Sequence, residues 1–185
     1  LLALCALLPS MFAWWGIPLV IVGTYIFGSL GIGLGFHRML THRSVKFPIV
    51  LQRIWVLLGV CCLEGSPLWW ACVHRIHHRY SDGNRDPHSP AKSFFYGHIQ
   101  WIYTEDTQRQ SFATYAKYAP DLLNDSFLCF LHRRNTWVFV YLAHAIFIAA
   151  IGFFIGFLVA DSRSIALMFG AKVFVWGVLV RTVYN

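Results

Sequence analysis

Charged side chains are absent from residues 11–36 and again from residues 136–160, and roughly 20 apolar residues in a helix suffice to cross the hydrocarbon core of a bilayer. Both runs predict membrane spans, over about 12–35 and 137–160. A third apolar run, over about 164–183, carries Lys172, which such a span accommodates by burial in a bundle or by snorkelling. Asp161, Ser162 and Arg163 make a three-residue turn between the last two spans, short enough to make them antiparallel neighbours. Residues 1–10 are apolar but too short to cross. No basic residue precedes them, so they do not read as a signal peptide. Residues 1–8 read instead as the tail of a cut helix, with Pro9 and Ser10 turning into the first span and Trp14 and Trp15 at the interface, where amphipathic rings prefer to sit.

The 99 residues from 37 to 135 are of a different kind. Residues 48–63 are apolar but broken by Gln52 and Arg53. Crossing there would put the histidines on either side of this run on opposite faces of the membrane, so it is expected to lie as an amphipathic helix at the cytoplasmic interface. Residues 81–90 (SDGNRDPHSP) are dense in turn formers, and the positions before Pro87 and Pro90 are biased away from helix. No repeat or low-complexity tract divides the chain, so residues 1–185 are read as a single, incomplete membrane domain.

Composition supports a membrane protein: 57% of the 185 residues are apolar, against roughly 45–50% in soluble domains. Of the 15 Lys and Arg residues, 12 lie between positions 37 and 134, with seven of the eight acids. The positive-inside bias puts this segment in the cytoplasm. The net charge of +7 comes with no dense basic run, and the spans exclude a soluble nucleic-acid binder. Anionic headgroups or a phosphate-bearing substrate account for it. The five cysteines contain no Cys-x-x-Cys pair, so neither a disulfide framework nor a zinc knuckle follows. Cys61, Cys62, Cys72 and Cys129 read as small buried apolar residues.

Five of the nine histidines fall into two groups, His37 with His42 and His74 with His77 and His78. The second set, at i, i+3 and i+4, shares one helix face within reach of one or two metal ions. His37 and His42 stand about 140° apart on an ideal helix, so they converge only if the helix ends or distorts between them. Imidazole suits zinc, copper, iron and nickel alike. The protease pattern H-E-x-x-H is absent, since Arg75 follows His74 and no acid stands between these histidines as general base. Cys72 points to the opposite face from His74 and is a poor ligand. His88, His98, His132 and His144 read as ordinary histidines; His88 and His98 follow the proline-rich loop and share no cluster geometry, and His144 lies mid-span without a partner.

Taken together, His37-Arg-Met-Leu-Thr-His42, His74-Arg-Ile-His77-His78 and Asp86-Pro87-His88 resemble the histidine boxes of the membrane acyl-CoA Δ9 desaturases, the stearoyl-CoA desaturases and their bacterial and plant relatives. The order of the boxes, the Thr-His-Arg-Ser run at 41–44, and Gly97-His98 followed by Trp101 fit as well. The resemblance implies an all-α, multi-pass transmembrane bundle with a cytoplasmic helical cap carrying a histidine-rich di-iron site. It implies that His37, His42, His74, His77 and His78 are iron ligands, and that Trp70 corresponds to a tryptophan at the bend of the acyl tunnel. The family's later Asn-x-x-x-His element and third H-x-x-H-H box have no counterpart before Asn185, and the 185 residues alone are expected to be inactive. Where stearoyl-CoA desaturases carry Arg-Asp before the second box, this chain has Cys72-Val73, which bears on the acyl carrier.

The activity so implied is insertion of a cis double bond, at Δ9, into a saturated acyl-CoA or acyl-lipid. It uses two irons, with O2 as co-substrate and electrons from a ferredoxin or cytochrome b5 type donor. No side-chain acid or base removes hydrogen from an unactivated methylene; oxygen activated at a redox metal does. The rivals are a membrane hydroxylase or alkane monooxygenase of the same histidine-box type, and a non-enzymatic membrane metal-binding protein. The second would show polar residues along the spans, yet residues 11–36 offer little beyond Thr24 and Ser29.

Overall fold

The computed structural model describes residues 1–81, 83–101, 111–159 and 162–185, whose regular structure is helical, with no strand among them. A 3-10 segment, Leu2–Leu7, opens the chain, and a turn follows in which Met11 and Phe12 donate to the Leu8 carbonyl. Helix α1 then runs over Gly16–Thr41, α8 over Thr136–Val159 and α9 over Arg163–Tyr184. Among the described residues these are the three helices long and apolar enough to span a membrane, the second taken together with the short helical stretch from Ser126 that leads into it. Between α1 and α8 come α2 (Ile49–Val60), α3 (Pro67–Tyr80), a short α4 (Tyr96–Gln100), α5 (Phe112–Tyr118), α6 (Pro120–Leu123) and α7 (Ser126–His132).

The first span departs from its predicted limits at both ends. It starts at Gly16 because residues 9–15 form turns, held to α9 where the Trp176 indole donates to the Met11 carbonyl. It continues past Phe36 because the winding changes: Gly16–Gly23 is α-helical, but Thr24–Thr41 is π-helical, bonded from residue i+5 to residue i. Arg134 and Asn135, both at positive φ, separate α7 from α8. The predicted turn before α9 includes Asp161, which lies outside the described residues. The antiparallel pairing it implied is present, with Gly152 facing Val173 and Gly156 facing Phe169. Such small residues let helix backbones approach closely.

Helix α2 does not lie across the end of the span. It runs back alongside α1, with Gly31 against the backbone of Leu58 and Gly59, and Gly35 against Trp55. The registers 31/59 and 35/55 make the pair antiparallel. A Cβ on Gly31 would stand 2.3 Å from the Gly59 nitrogen, so only glycine allows this approach. The chain then reverses through Leu63 and Gly65, both at positive φ, and α3 climbs back. Ser66 caps α3 by accepting from the Trp69 amide, with Pro67 in the first turn, the arrangement such helix starts favour. Both histidine groups therefore end on the same side, as the sequence required.

The core beneath them is built from Phe36, Met39 and Leu40 of α1, Val56 and Val60 of α2, and Leu68, Ala71, Cys72 and Ile76 of α3. Tyr115, Leu122, Leu128 and Leu131 of α5–α7 close it. Cys61, Cys62 and Cys72 are buried, Cys129 is half-buried, and all are free thiols.

Candidate metal centre

The π winding answers the spacing of the first pair. His42 donates its backbone N–H to the His37 carbonyl at 3.0 Å, so five residues make one turn and both rings come to the same side. Their Nε2 atoms are 3.0 Å apart. On α3 the ordinary i, i+4 relation brings the Nε2 atoms of His74 and His78 to 3.1 Å. The two pairs face each other, with ring centroids 4.8 Å apart for His37–His74 and 4.5 Å for His42–His78. One ligand atom from each of these four histidines lies within 4.8 Å of the others.

These distances fit a metal ion. Imidazole nitrogens bound at ~2.0–2.1 Å, the zinc value, stand ~3 Å apart when they occupy neighbouring positions on one ion. Burial, then the neighbouring His37, His78, His77 and His88, push His74 down to about 3. Burial, then His42 and His77, also lower His78. Both rings of the α3 pair are therefore neutral at neutral pH, which keeps their nitrogen lone pairs available for a metal.

His77 points elsewhere. Its Nδ1 is 2.8 Å from the carboxylate of Asp86, and its ring stacks on His88 at 3.9 Å. His77, Asp86 and His88 form a second group whose ligand atoms lie within 4.8 Å of one another. This corrects the expectation that His88 lies outside any cluster. The loop folds back because the Asp86 carboxylate accepts the His88 backbone N–H at 3.0 Å, an Asx-type turn that the residue types permit but that only a tertiary contact orients. The His98 side chain lies outside those described.

Arg75 has a part that the sequence reading missed. Its guanidinium donates to the carbonyls of Leu40 and Thr41 and forms a two-pronged pair with Asp121 of α6. It thereby satisfies carbonyls that the end of α1 leaves open and ties the helix bearing His37 to the helix bearing His74. Arg43 joins the same carboxylate. Burial works against the Asp121 charge, but Arg75 and Arg43 outweigh it and lower the pKa.

Trp70 stacks on His74 at 4.7 Å and meets Phe36 edge-on at 5.7 Å. Its indole donates to Glu64 at 3.1 Å. Burial raises Glu64 to about 7 despite that hydrogen bond. His132 accepts or donates a bond with the Ser66 hydroxyl at 2.7 Å, away from the cluster. His144 packs against Phe27, and neither of its ring nitrogens has a hydrogen-bond partner among the described residues. An apolar groove of about 890 Å³ between α8 and α9, lined by residues such as Ala145, Phe153 and Phe174, contains no histidine.

The chain is 40% identical over 132 residues to the sn-2 palmitoyl-lipid 9-desaturase of Nostoc sp. (strain 36), covering 71% of this chain and 46% of that protein. It is 36% identical over 180 residues to the acyl-CoA C20 Delta5-desaturase of Anemone leveillei, covering 97% and 51%. With the sn-1 stearoyl-lipid 9-desaturase of Anabaena variabilis the identity is 33% over 182 residues, covering 98% and 59%. The chain thus spans about half the length of the curated relatives it matches. Residues 4–185 match the family described as fatty acid desaturase, and the chain belongs to that family.

Proposed function

We propose that the complete protein is an oxygen-dependent desaturase that inserts a cis Δ9 double bond into a saturated fatty-acyl chain, with His37, His42, His74, His77 and His78 among the ligands of two irons. The observation that carries this is the convergence of four imidazoles, paired at 3.0 and 3.1 Å, at the end of a helix long enough to span a membrane. An all-nitrogen donor set fits iron. When bound, the irons with O2 supply the oxidant that removes hydrogen from an unactivated methylene, which no side chain here can do.

The residues around the site supply position. Trp70, stacked on His74, borders the acyl chain where it passes the metals, and Glu64 fixes the indole through its N–H. The basic segment faces the cytoplasm, where a ferredoxin or cytochrome b5 type donor delivers electrons. An acyl-lipid is the favoured carrier. At the positions where stearoyl-CoA desaturases carry Arg-Asp, this chain buries Cys72 and Val73, 0% and 1% exposed, and leaves no charged pair for a CoA. The Nostoc and Anabaena relatives carry lipid-linked names and the Anemone leveillei relative an acyl-CoA name, so the buried Cys72-Val73 pair carries this choice.

The test is product analysis. The complete protein in lipid, given iron, O2, a reductant system and saturated acyl chains as phospholipid or CoA ester, is expected to yield the cis monoene, preferentially from the lipid. A hydroxylated product would establish the hydroxylase reading instead. Bound metal without oxygen-dependent turnover would leave a metal-binding protein.

A further inference from the structure

Asp86 is fully buried, 0% exposed, although it lies in a polar loop. The loop carries it back to α3 through a short chain of bonds: Gly83 N–H to the Tyr80 carbonyl, Asp86 N–H to the Gly83 carbonyl, and His88 N–H to the Asp86 carboxylate. Pro87 is fixed in turn where its carbonyl accepts the Tyr96 hydroxyl at 3.2 Å. A buried carboxylate is costly unless it is hydrogen-bonded, and this one directs one oxygen at the His88 amide and at His77 Nδ1, 2.8 Å away.

We propose that Asp86 is a positioning residue for His77, holding the proton on Nδ1 so that Nε2 presents its lone pair to a metal ion. The inference rests on the reading of His77 as a ligand. An ionised carboxylate only accepts, so the proton between the two groups belongs to the imidazole. Metal-bound histidines are commonly oriented this way, and the partner raises the basicity of the ligating nitrogen. His88 completes the arrangement. Its ring lies over His77 at 3.9 Å and 24°, which opposes rotation of the imidazole out of line. The Asp86 oxygen facing this group also accepts the His88 amide at 3.0 Å, which holds it in place beside His77 Nδ1.

The test compares the complete protein with Asp86→Asn, His77→Ala, His77→Gln and the Asp86→Asn/His77→Gln double variant, by iron per chain and by the rate of iron transfer to a chelator. Asp86→Asn keeps the volume and an acceptor but loses the charge. It is expected to weaken iron binding by about 10–100-fold, with thermal unfolding of the metal-free protein unchanged. In the His77→Gln background the same substitution is expected to have almost no further effect. Independently of any variant, nitrogen NMR of the metal-free protein is expected to show His77 as the Nδ1–H tautomer. Wild-type iron retention in Asp86→Asn, an undiminished loss in the double variant, or the Nε2–H tautomer would overturn the proposal. If His77→Ala loses iron while Asp86→Asn keeps it, the positioning role alone fails; if His77→Ala keeps its iron, the ligand reading fails and takes the proposal with it.

Discussion

Glu64 is where a single side chain exposes the cost of the site. Its pKa rises from 4.5 to about 7 because it is withdrawn from water, while the Trp70 indole works the other way. The fold therefore favours the protonated acid. Its contribution is fully present below the unfolded value and is lost as pH rises through about 7. Glu64→Gln keeps an acceptor for the indole and removes the titration. It should leave stability near pH 4.5 almost unchanged and raise it by on the order of 2 kcal/mol at pH 8, allowing for partial exposure. Thermal unfolding at the two pH values checks this, and an equal shift at both would deny that charge is the cause. His132→Ala is a contrasting case. It removes the bond to Ser66 at the cap of α3, worth about 1 kcal/mol, and should leave iron binding intact.

At the scale of elements, the helices were legible from hydropathy, whereas the geometry that joins the histidines was not. Three apolar runs announced α1, α8 and α9. The spacing of His37 and His42 showed only that the helix must end or distort; that it winds as a π-helix over Thr24–Thr41 is something no local pattern encodes. The course of α2 was misjudged for a related reason. Gln52 and Arg53 suggested a helix flat on the interface, but Gln52 donates to the Phe47 carbonyl and Arg53 pairs with Asp125 at 2.6 Å, so both are satisfied beside α1. The glycines at 31, 35 and 59 held the readable signal. Gly31→Ala places a methyl 2.3 Å from backbone nitrogen and should destabilise by about 1–3 kcal/mol. Gly33→Ala, whose Cβ would meet only the Gly28 carbonyl at 3.8 Å, should be neutral or mildly stabilising. Thermal unfolding in detergent distinguishes them. Arg75 is the other inter-helix tie that sequence concealed, because an arginine among histidines looks solvated. Arg75→Lys cannot reproduce its fork, and breaking so enclosed a pair costs about 3 kcal/mol. Iron loading should fall along with stability, and unchanged loading would show that the two helices need no such tie.

Across the whole molecule, the arrangement is a set of apolar helices that hold a polar cap at one end. Phe36 marks the junction, buried at 0% exposure beside Trp70, and the next residue is the first of the clustered histidines. The +7 charge is concentrated in the segment that forms the cap. The central claim is that the His37–His42 and His74–His78 pairs converge on a metal centre, and the most direct measurement is iron per chain in the complete protein, as wild type, His42→Ala and His132→Ala, each verified as helical by circular dichroism. The account predicts bound iron in the wild type and in His132→Ala and a marked loss in His42→Ala, since the His42 ring meets the cluster through its Nε2 contact with His37 and has no part in the core. Equal iron in His42→Ala and the wild type, or equal loss in both variants, would contradict it.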